Sequence, residues 1–533
     1  MSLPSTPNLV VFLTDQQRAV QYFPEAWVTA NLVNLNALTA NGLTFTNAAI
    51  NASRCSPSRG VLATGLYAPK NGLVEVGGLL DPSWATLGKR IAATGLGYQV
   101  GYVGKWHMTP SFIQPASTVP NPPATLTGEN AQLAASYGMP GWDAPDAGTA
   151  LSWTPAALPS QPPTVENPYV SNSNTLGGGP GSYNQNDARI AQAAIDFLQN
   201  VDASKPFALI VSLVNPHDMW ANLYDGLMLQ QYPEFPAAFD ALTGSDQFVL
   251  PASYSGDNLS TKPPIQTTIR NNYTQRWAQG HHVATPTMLD PADALRYLQF
   301  YAYVTYLADQ QFQQVYEVLK AMPQFDDTIV VRLADHGEMG MSHGGSMEKD
   351  CNVYAETINI PYVFSNATLF PQPATCAAQA GLVDIVPTLL GLIGKPLAAG
   401  ETQGTDLSAL ITDPTGTPPI DCAVFTYDDD YPAHIRAIQA DAGAVEVGGQ
   451  PTTSPYKYAV YYPLTSGGSV DTSNLHFELY VPGADGEIVN LVSSNPALQS
   501  ALHTLLTNRM ATIDTLGPSG GGTVTPPGWP ASP

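Results

Sequence analysis

The chain has 533 residues, so two domains are expected, because a single hydrophobic core stops growing at roughly 250–300 residues. Lysine and arginine number 20 against 43 aspartates and glutamates, and the formal charge of -23 argues against binding to nucleic acid or to an anionic membrane surface. Abundant glycine (45) and proline (48), with only 12% charged residues, indicate a loop-rich globular protein rather than a coiled coil.

The sequence carries no pattern typical of export or membrane insertion. The N-terminus lacks a basic region followed by an apolar stretch, so we expect no signal peptide. No apolar run reaches the ~18 residues that a membrane-spanning helix needs. The cysteines are sparse and lack CxxC spacing, which favours a reducing compartment, and we therefore expect a cytoplasmic protein.

Short β-branched or aromatic runs alternate with helical stretches along most of the chain. This alternation predicts an α/β fold with a large, mostly parallel central sheet flanked by helices. Continuous hydrophobicity in the predicted strands indicates burial on both faces. In chain order, the clearest predicted strands are residues 9–14, 98–103, 207–214, 328–333 and 362–364.

Helix signals are strongest at two places. After Cys55, Ser56 can cap a helix, Pro57 suits its first position and Gly65 can end it. A longer helix is predicted between a cap at Asp290 and a stop at Pro323, with apolar residues at helical spacing. Two further helices are predicted at residues 186–200 and 382–393.

The chain also contains long loops and a change of pattern near its end. Residues 111–185 and 221–285 are expected to be functional loops around a pocket. Beyond about residue 415, strand-like pieces and a final helix predict a small α+β domain. The expected organisation is a catalytic domain at 1–415, an α+β domain at 416–516 and a disordered Gly/Pro-rich tail at 517–533.

Polar residues follow four of the predicted strands directly. Ligands of open α/β sheets bind beyond the carboxyl ends of the strands, so these residues are expected to converge on one rim. The four segments are Asp15-Gln16, Gly104-Lys-Trp-His107, Asn215-Pro-His217-Asp218 and Asp335-His336.

The residue types on this rim predict a divalent-metal site that faces an anion. Asp15 and Asp335 supply hard oxygen ligands, Gln16 a carbonyl oxygen and His336 a nitrogen. Cys55 would lie against the metal, as a thiol activated by a helix N-terminus and by cations or as a modified residue. A tetrahedral oxyanion would fit among the basic candidates Arg59, Lys105, His107, His217 and Lys349.

Together these motifs resemble, in order, the type I sulfatases of the alkaline phosphatase superfamily. The cysteine signature is specific, and its order with the other motifs covers most of the chain. The matching segments are residues 7–15, Cys55-Ser-Pro-Ser-Arg59 with Thr64-Gly65, Gly104-Lys-Trp-His107, Pro216-His217, Ala334-Asp-His-Gly-Glu338, Lys349, Tyr354-Ala-Glu356, Asp384-Ile-Val-Pro387, Glu478-Leu-Tyr480 and Asn490-Leu491.

The resemblance implies that a formylglycine-generating enzyme converts Cys55 to Cα-formylglycine, whose metal-bound hydrate attacks the sulfur of a small-molecule sulfate ester. Cys55 would then join Asp15, Gln16, Asp335 and His336 in the metal site. A gem-diol offers both a nucleophile and an internal means of breaking the covalent intermediate.

The resemblance also assigns roles to the basic residues. Lys349 and His217 match positions that hold the sulfate and protonate the leaving oxygen. His107, assisted by Lys105, matches the base that releases sulfate, and Arg59 matches the residue that stabilises the hydrate and the metal ligands.

Two departures from the common sulfatase pattern keep alternatives open. Many family members have a second aspartate where this chain has Gln16 and an asparagine where it has His336. These forms resemble the branch with choline sulfatases and phosphonate monoester hydrolases. Ca²⁺ is the expected metal, and the nitrogen ligand of His336 makes Mn²⁺ the alternative. The expected activity is sulfate ester hydrolysis. Phosphonate monoester or phosphodiester hydrolysis by the same modified Cys55 is the alternative, and an unmodified anion-binding protein is a third reading.

Overall fold

The computed structural model describes residues 6–19, 23–109, 133–140, 184–221, 232, 234–243, 248–281, 288–429, 431–483 and 486–533. Its strands are β1 (Asn8–Asp15), β2 (Gly42–Ala49), β3 (Gln99–Gly104), β4 (Phe207–Pro216), β5 (Thr328–Ala334), β6 (Tyr362–Ser365), β7 (Ala374–Gly381), β8 (Cys422–Tyr427), β9 (His434–Ala440), β10 (Glu446–Val447), β11 (Gln450–Pro451), β12 (Tyr456–Tyr462) and β13 (His476–Tyr480).

The helices accompany three sheets, which have seven, four and two strands within the described residues. They are α1 (Glu25–Asn31), α2 (Val33–Ala40), α3 (Cys55–Thr64), α4 (Ala68–Asn71), α5 (Leu87–Ala93), α6 (Asn184–Asn200), α7 (Asp218–Ala221), α8 (Phe235–Thr243), α9 (Ala252–Gly256), α10 (Pro264–His281), α11 (Pro291–Lys320), α12 (Ala355–Ile358), α13 (Ile385–Leu392), α14 (Ser408–Thr412) and α15 (Pro496–Thr515). No helix within the described ranges is long and apolar enough to cross a membrane.

The central sheet confirms the predicted α/β class. Within the described residues it has seven strands in the order β3-β4-β1-β5-β6-β2-β7. β6 runs antiparallel to both of its neighbours, and the other pairings are parallel. β1 and β5 are buried at every position, as expected for strands covered by helices on both faces.

Two strands of this sheet were not predicted. β7 consists mainly of alanine, which has little β propensity, and β2 combines the strand formers Thr44, Phe45 and Thr46 with glycine, asparagine and alanine. They are strands because they pair with each other and because β2 also pairs with β6. Pairing with strands that are distant in sequence therefore determines the β conformation of these two segments.

The long helix α11 agrees closely with its prediction. The Asp290 carboxylate accepts hydrogen bonds from the backbone N–H groups of Ala292 and Asp293, and Pro291 occupies the first turn. Phe312 of α11 stacks on Phe12 of β1 with ring centroids 4.5 Å apart. The helix is thus fixed against the strand that leads to Asp15.

Helix α3 begins two residues earlier than its proline predicts. Cys55 is its first residue, and the Arg54 cap makes no side-chain capping bond. Ser56 does not cap the helix, because its hydroxyl instead accepts a hydrogen bond from the Gly77 N–H at 3.0 Å. Gly65 ends the helix as predicted, with a left-handed φ of 67°.

The C-terminal residues form a second, antiparallel sheet in the order β13-β12-β9-β8, with α15 beside it. The sequence predicts a disordered tail at 517–533, and in the structure some of its residues contact the C-terminal sheet and helix. Val524 is buried and its carbonyl accepts a 2.6 Å hydrogen bond from Arg436 Nε, while Trp529 stacks on His503 at 5.5 Å. A glycine- and proline-rich composition did not reveal these apolar anchors. The domain boundary at 415/416 stays a prediction.

Candidate active site

Neighbouring parallel strands bring Asp15 and Asp335 together. β1 ends at Asp15 and pairs in parallel with β5, and Thr14 lies opposite Ala334, the residue before Asp335. The Asp335 N–H donates to the Thr14 carbonyl at 3.1 Å, and the Gln16 N–H donates to Asp335 Oδ1 at 3.1 Å. The predicted convergence at the carboxyl ends of the strands therefore occurs for these residues.

Asp15, Cys55, Asp335 and His336 form a buried cluster whose ligand atoms all lie within 4.8 Å of one another. His336 Nε2 is 3.1 Å from Cys55 Sγ and 3.7 Å from one oxygen of each aspartate. Its other ring nitrogen is 3.0 Å from the Gly337 carbonyl, the contact that orients a metal-binding imidazole. Two carboxylates, one imidazole and residue 55 fit a divalent cation.

Arg59 and Lys105 hold the outer oxygens of the two aspartates. Arg59 donates from Nε to Asp335 Oδ2 at 2.8 Å and from Nη2 to Asp15 Oδ2 at 3.1 Å. Lys105 Nζ lies 2.6 Å from the same Asp15 oxygen. Because both cations contact Oδ2 atoms, the Oδ1 atoms are left to face the cluster. The sequence predicted both basic residues but not this division of the carboxylate oxygens.

Charge and burial shift the pKa values of the ionisable groups in opposite directions. Burial opposes ionisation of Asp15, but Lys105 and the neighbouring cations hold its pKa well below the ordinary value. The pKa of Asp335 is raised by burial and by the charge of Asp15. Burial and the Lys105 ammonium lower the pKa of both His107 and His217, so these imidazoles are neutral near pH 7 and can accept protons.

Lys349 is buried and charged beside the cluster. Burial opposes its charge, but the Glu348 carboxylate, 2.7 Å from Nζ, raises its pKa above the ordinary value. The ammonium also donates to Gln16 Oε1 at 2.7 Å. The oxygen of Gln16, a predicted metal ligand, is therefore engaged with Lys349 in this structure.

The remaining predicted residues lie on the same rim. His217 follows β4, and its Nε2 is 3.9 Å from Asp15 Oδ1. His107 follows β3 and is buried, with a left-handed φ of 55°. All the predicted site residues thus lie within the described part of the chain. Each of them contacts another predicted site residue or interacts electrostatically with one.

The sequence predicts no role in the site for several acidic residues that support it. Glu338 and Glu348 accept hydrogen bonds from the Gln16 amide. Asp429, beyond β8 in the C-terminal domain, binds Arg54 through two contacts of 2.8 Å. Glu338 is the last residue of the matching segment 334–338 and Glu348 directly precedes Lys349, which was the available signal, whereas no local pattern connects Asp429 with residue 54.

A second buried cluster lies close to these residues. His343, Glu356 and Glu487 have potential ligand atoms within 4.8 Å of one another. Lys457 Nζ lies 2.6 Å from Glu487, and Asp257 Oδ2 lies 2.9 Å from His343 Nδ1. The cluster therefore neutralises its carboxylates with its own cations, and we interpret it as an ion-pair network.

Most of residues 111–185 and parts of 221–285 lie outside the described residues, as do Trp142, Trp153 and Tyr224 of these loops. The prediction that these segments surround the substrate pocket therefore stays a prediction. Tyr273, also from the second segment, is buried, and its hydroxyl donates to Asp350. Its observed role is packing and hydrogen bonding.

Comparison with known proteins agrees with this geometry. The sulfatase family model matches residues 7–395. The uncharacterized sulfatase YidJ of Escherichia coli is 23% identical over 395 residues, which are 73% of this chain and 69% of YidJ. A solved 2-O GAG sulfatase superposes with a TM-score of 0.63 at 17% identity, over 99% of this chain and 98% of its own. A phosphonate monoester hydrolase from Silicibacter pomeroyi gives 0.65 at 16% identity, over 95% of each chain. The chain therefore belongs to the sulfatase family.

Proposed function

We propose that this enzyme hydrolyses a small-molecule sulfate ester to an alcohol and inorganic sulfate, using a formylglycine made from Cys55 and one bound divalent metal. The observation that carries the proposal is the position of Cys55. Its Sγ lies at the first residue of α3, 3.1 Å from His336 Nε2 and 3.7 Å from Asp15 Oδ1. The sulfur marks where the oxygen nucleophile of the modified residue would lie.

A formylglycine hydrate at position 55 would supply an oxygen nucleophile and, through its second hydroxyl, a route for sulfate release. A divalent metal held by Asp15, Asp335 and His336, with Gln16 as the further candidate, would polarise the sulfate oxygens. The carboxylate oxygens suit Ca²⁺, and the imidazole nitrogen keeps Mn²⁺ as the alternative.

The surrounding residues divide into charged and neutral groups. Lys349 is charged, so it suits binding of the sulfate group and donation of a proton to the leaving alkoxide. His217 is neutral and can donate a hydrogen bond to the same group. Neutral His107 can take the proton that release of sulfate requires, since burial and the Lys105 ammonium hold its pKa low. Arg59 keeps the two aspartates in place.

Phosphonate monoester or phosphodiester hydrolysis is the second candidate. Gln16 and His336 resemble that branch of the superfamily, and the Silicibacter pomeroyi hydrolase shares the fold. The Lys105-x-His107 pair, which is sulfatase-like, supports the first candidate.

Two measurements test the proposal. The protein is produced with a formylglycine-generating enzyme, and the mass of the peptide containing Cys55 is determined. We expect conversion of the thiol to an aldehyde, together with a higher kcat/KM for an aryl sulfate than for the matched aryl phosphonate monoester. Cys55→Ala, which cannot be converted, should abolish turnover. Full sulfatase activity in Cys55→Ala would contradict the proposed nucleophile, and the reverse substrate ranking would favour the second candidate.

A further inference from the structure

We propose that Glu348 is a positioning residue of this site, which holds the Lys349 ammonium and helps to orient the Gln16 amide. The inference rests on the proposed function for its catalytic consequence. Its structural basis is a buried group of four side chains: Gln16, Glu338, Glu348 and Lys349. None of the roles that the family resemblance assigns falls on either glutamate.

The backbone at Glu348 has an unusual conformation for this residue type. Its φ is 69°, in the left-handed region that favours glycine and costs other residues roughly 1–2 kcal/mol. Side chains of consecutive residues in an extended chain point to opposite faces. Here the left-handed turn brings consecutive side chains together, and Lys349 Nζ donates to Glu348 Oε2 at 2.7 Å. A glutamate at a position suited to glycine indicates that its carboxylate is used.

The two glutamates also determine how the Gln16 amide is oriented. Gln16 Nε2 donates to Glu338 Oε2 at 2.5 Å and to Glu348 Oε2 at 3.2 Å. With the nitrogen directed at two carboxylates, Gln16 Oε1 accepts from Lys349 Nζ at 2.7 Å. The reverse orientation would bring the amide oxygen against two carboxylates and the amide nitrogen against an ammonium.

This arrangement gives a physical reason for glutamine at position 16. An aspartate or glutamate there would bring a third carboxylate against Glu338 and Glu348, and like charges at hydrogen-bond distance in a buried site are costly. An amide is neutral and can donate to both carboxylates while it accepts from Lys349. Gln16 and the two glutamates therefore form one unit around the lysine.

Hydrogen bonds connect this group of side chains to helix α11 and to the segment that precedes Cys55. Glu338 Oε1 accepts from the Tyr297 hydroxyl of α11 at 2.8 Å and from the Glu348 N–H at 2.9 Å. The Ser53 hydroxyl donates to the Lys349 carbonyl at 3.2 Å, two residues before Cys55. These contacts fix the lysine relative to both the helix and the nucleophile position.

The test is a double-mutant cycle with matched size and charge. Glu348→Gln retains the length of the side chain but removes its charge. We expect kcat/KM for the sulfate ester to fall about 10- to 100-fold, the range seen when groups that orient active-site ligands are removed. The Kd for inorganic sulfate, measured by calorimetry, should rise in parallel. Glu348→Asp, which restores the charge, should recover part of both losses.

The decisive comparison introduces Glu348→Gln into the Lys349→Ala variant. If Glu348 acts through Lys349, adding Glu348→Gln to Lys349→Ala should change kcat/KM by no more than about 2-fold. An equal loss in both backgrounds, or full activity of Glu348→Gln alone, would overturn the proposal. Glu317→Gln, which removes the partner of the exposed Lys320 at 3.1 Å, is the control and should leave all values unchanged.

Folding and function can be separated in the same series. Circular dichroism checks each variant, and Glu348→Asn, whose residue type tolerates positive φ, replaces Glu348→Gln if that variant does not fold. If the wild-type protein turns over no sulfate ester, the proposed function fails. The sulfate Kd in the four proteins of the cycle would still report whether Glu348 positions Lys349, and additive changes in Kd would contradict that role.

Discussion

The buried pair of His343 and Glu356 predicts a loss of stability at alkaline pH. His343 Nε2 is 3.4 Å from Glu356 Oε2, and its Nδ1 is 2.9 Å from Asp257 Oδ2. The imidazole also stacks on Tyr354 with ring centroids 4.0 Å apart. Burial opposes the charge of the imidazole, but Glu356 and Asp257 raise the pKa of His343 to about 9. His343 is therefore protonated at neutral pH.

The direction of the pH effect follows from this raised pKa. The stabilisation is fully present below the ordinary histidine pKa of about 6.5 and is lost as the pH rises through about 9. The difference between these pKa values corresponds to about 3 kcal/mol of unfolding free energy. The pKa of Glu356 is lowered from 4.5 to about 2 despite its burial, because His343 stabilises the carboxylate, so the partner's contribution is present above about pH 4.5 and is lost as the pH falls towards 2. The pKa shifts of His343 and Glu356 arise from the same contact, so together they represent one contribution to stability.

Histidine NMR titration of the wild type and Glu356→Gln tests this reasoning. The His343 resonance, assigned by its loss in His343→Gln, should titrate near pH 9 in the wild type and at lower pH in Glu356→Gln. The unfolding free energy of the wild type should fall between pH 6.5 and 9.5, and that of Glu356→Gln should fall less. Titration of wild-type His343 at or below pH 6.5 would refute the assignment. Glu317→Gln, an exposed control, should behave as the wild type.

Two further predictions concern the site and its support. Asp429→Asn should lower the unfolding free energy by about 2 kcal/mol, as measured by urea unfolding. The loss should be smaller than the roughly 3–5 kcal/mol of a fully broken buried pair, because Arg54 keeps a 3.3 Å contact with Asp350. An effect as small as that of the exposed control Glu401→Gln would contradict this prediction. Chelation of divalent metal should abolish turnover, and added Ca²⁺ or Mn²⁺ should restore it. The circular dichroism spectrum should stay unchanged, because Arg59 and Lys105 already pair with the aspartates of the cluster. Unfolding on chelation, or turnover that survives chelation, would contradict this prediction.

The core of the fold was predictable because its central strands are covered on both sides. β1 and β5 are continuous apolar runs that end at acidic residues, so both the strands and the polar rim can be recognised locally. β2, β7 and β9 lack such a pattern or alternate with polar residues, and their conformation depends on partners distant in sequence. Local sequence therefore predicts the central strands that position the metal candidates better than β2 and β7 at one side of the same sheet or β9 in the C-terminal sheet.

The supporting residues of the site could not be predicted for a related reason. Arg54 and Asp429 are 375 positions apart, and Gln16 and Glu348 are 332 positions apart. Their residue types are common on protein surfaces, where a carboxylate usually faces water. Only the folded chain shows that these carboxylates are buried against cations or an amide. The backbone conformation at Glu348 likewise depends on contacts that no sequence pattern predicts.

The formal charges of the site restrict the class of ester that it can accept. With every carboxyl group taken as ionised and His336 as a neutral metal ligand, four carboxylates face three cations among the described residues around the cluster and Lys349, a formal balance of one negative charge: Asp15, Asp335, Glu338 and Glu348 against Arg59, Lys105 and Lys349. Without a metal His336 adds a positive charge, because neighbouring acidic groups raise its pKa to about 9. A divalent metal would change the formal balance to one positive charge, which matches a monoanion. Sulfate esters, phosphonate monoesters and phosphodiesters are monoanions at neutral pH, whereas phosphate monoesters approach a dianion because their second pKa is about 6. This formal charge balance disfavours phosphate monoesters, and under the proposed mechanism the choice among the monoanions falls to Lys349 and His217, the residues proposed to protonate the leaving oxygen.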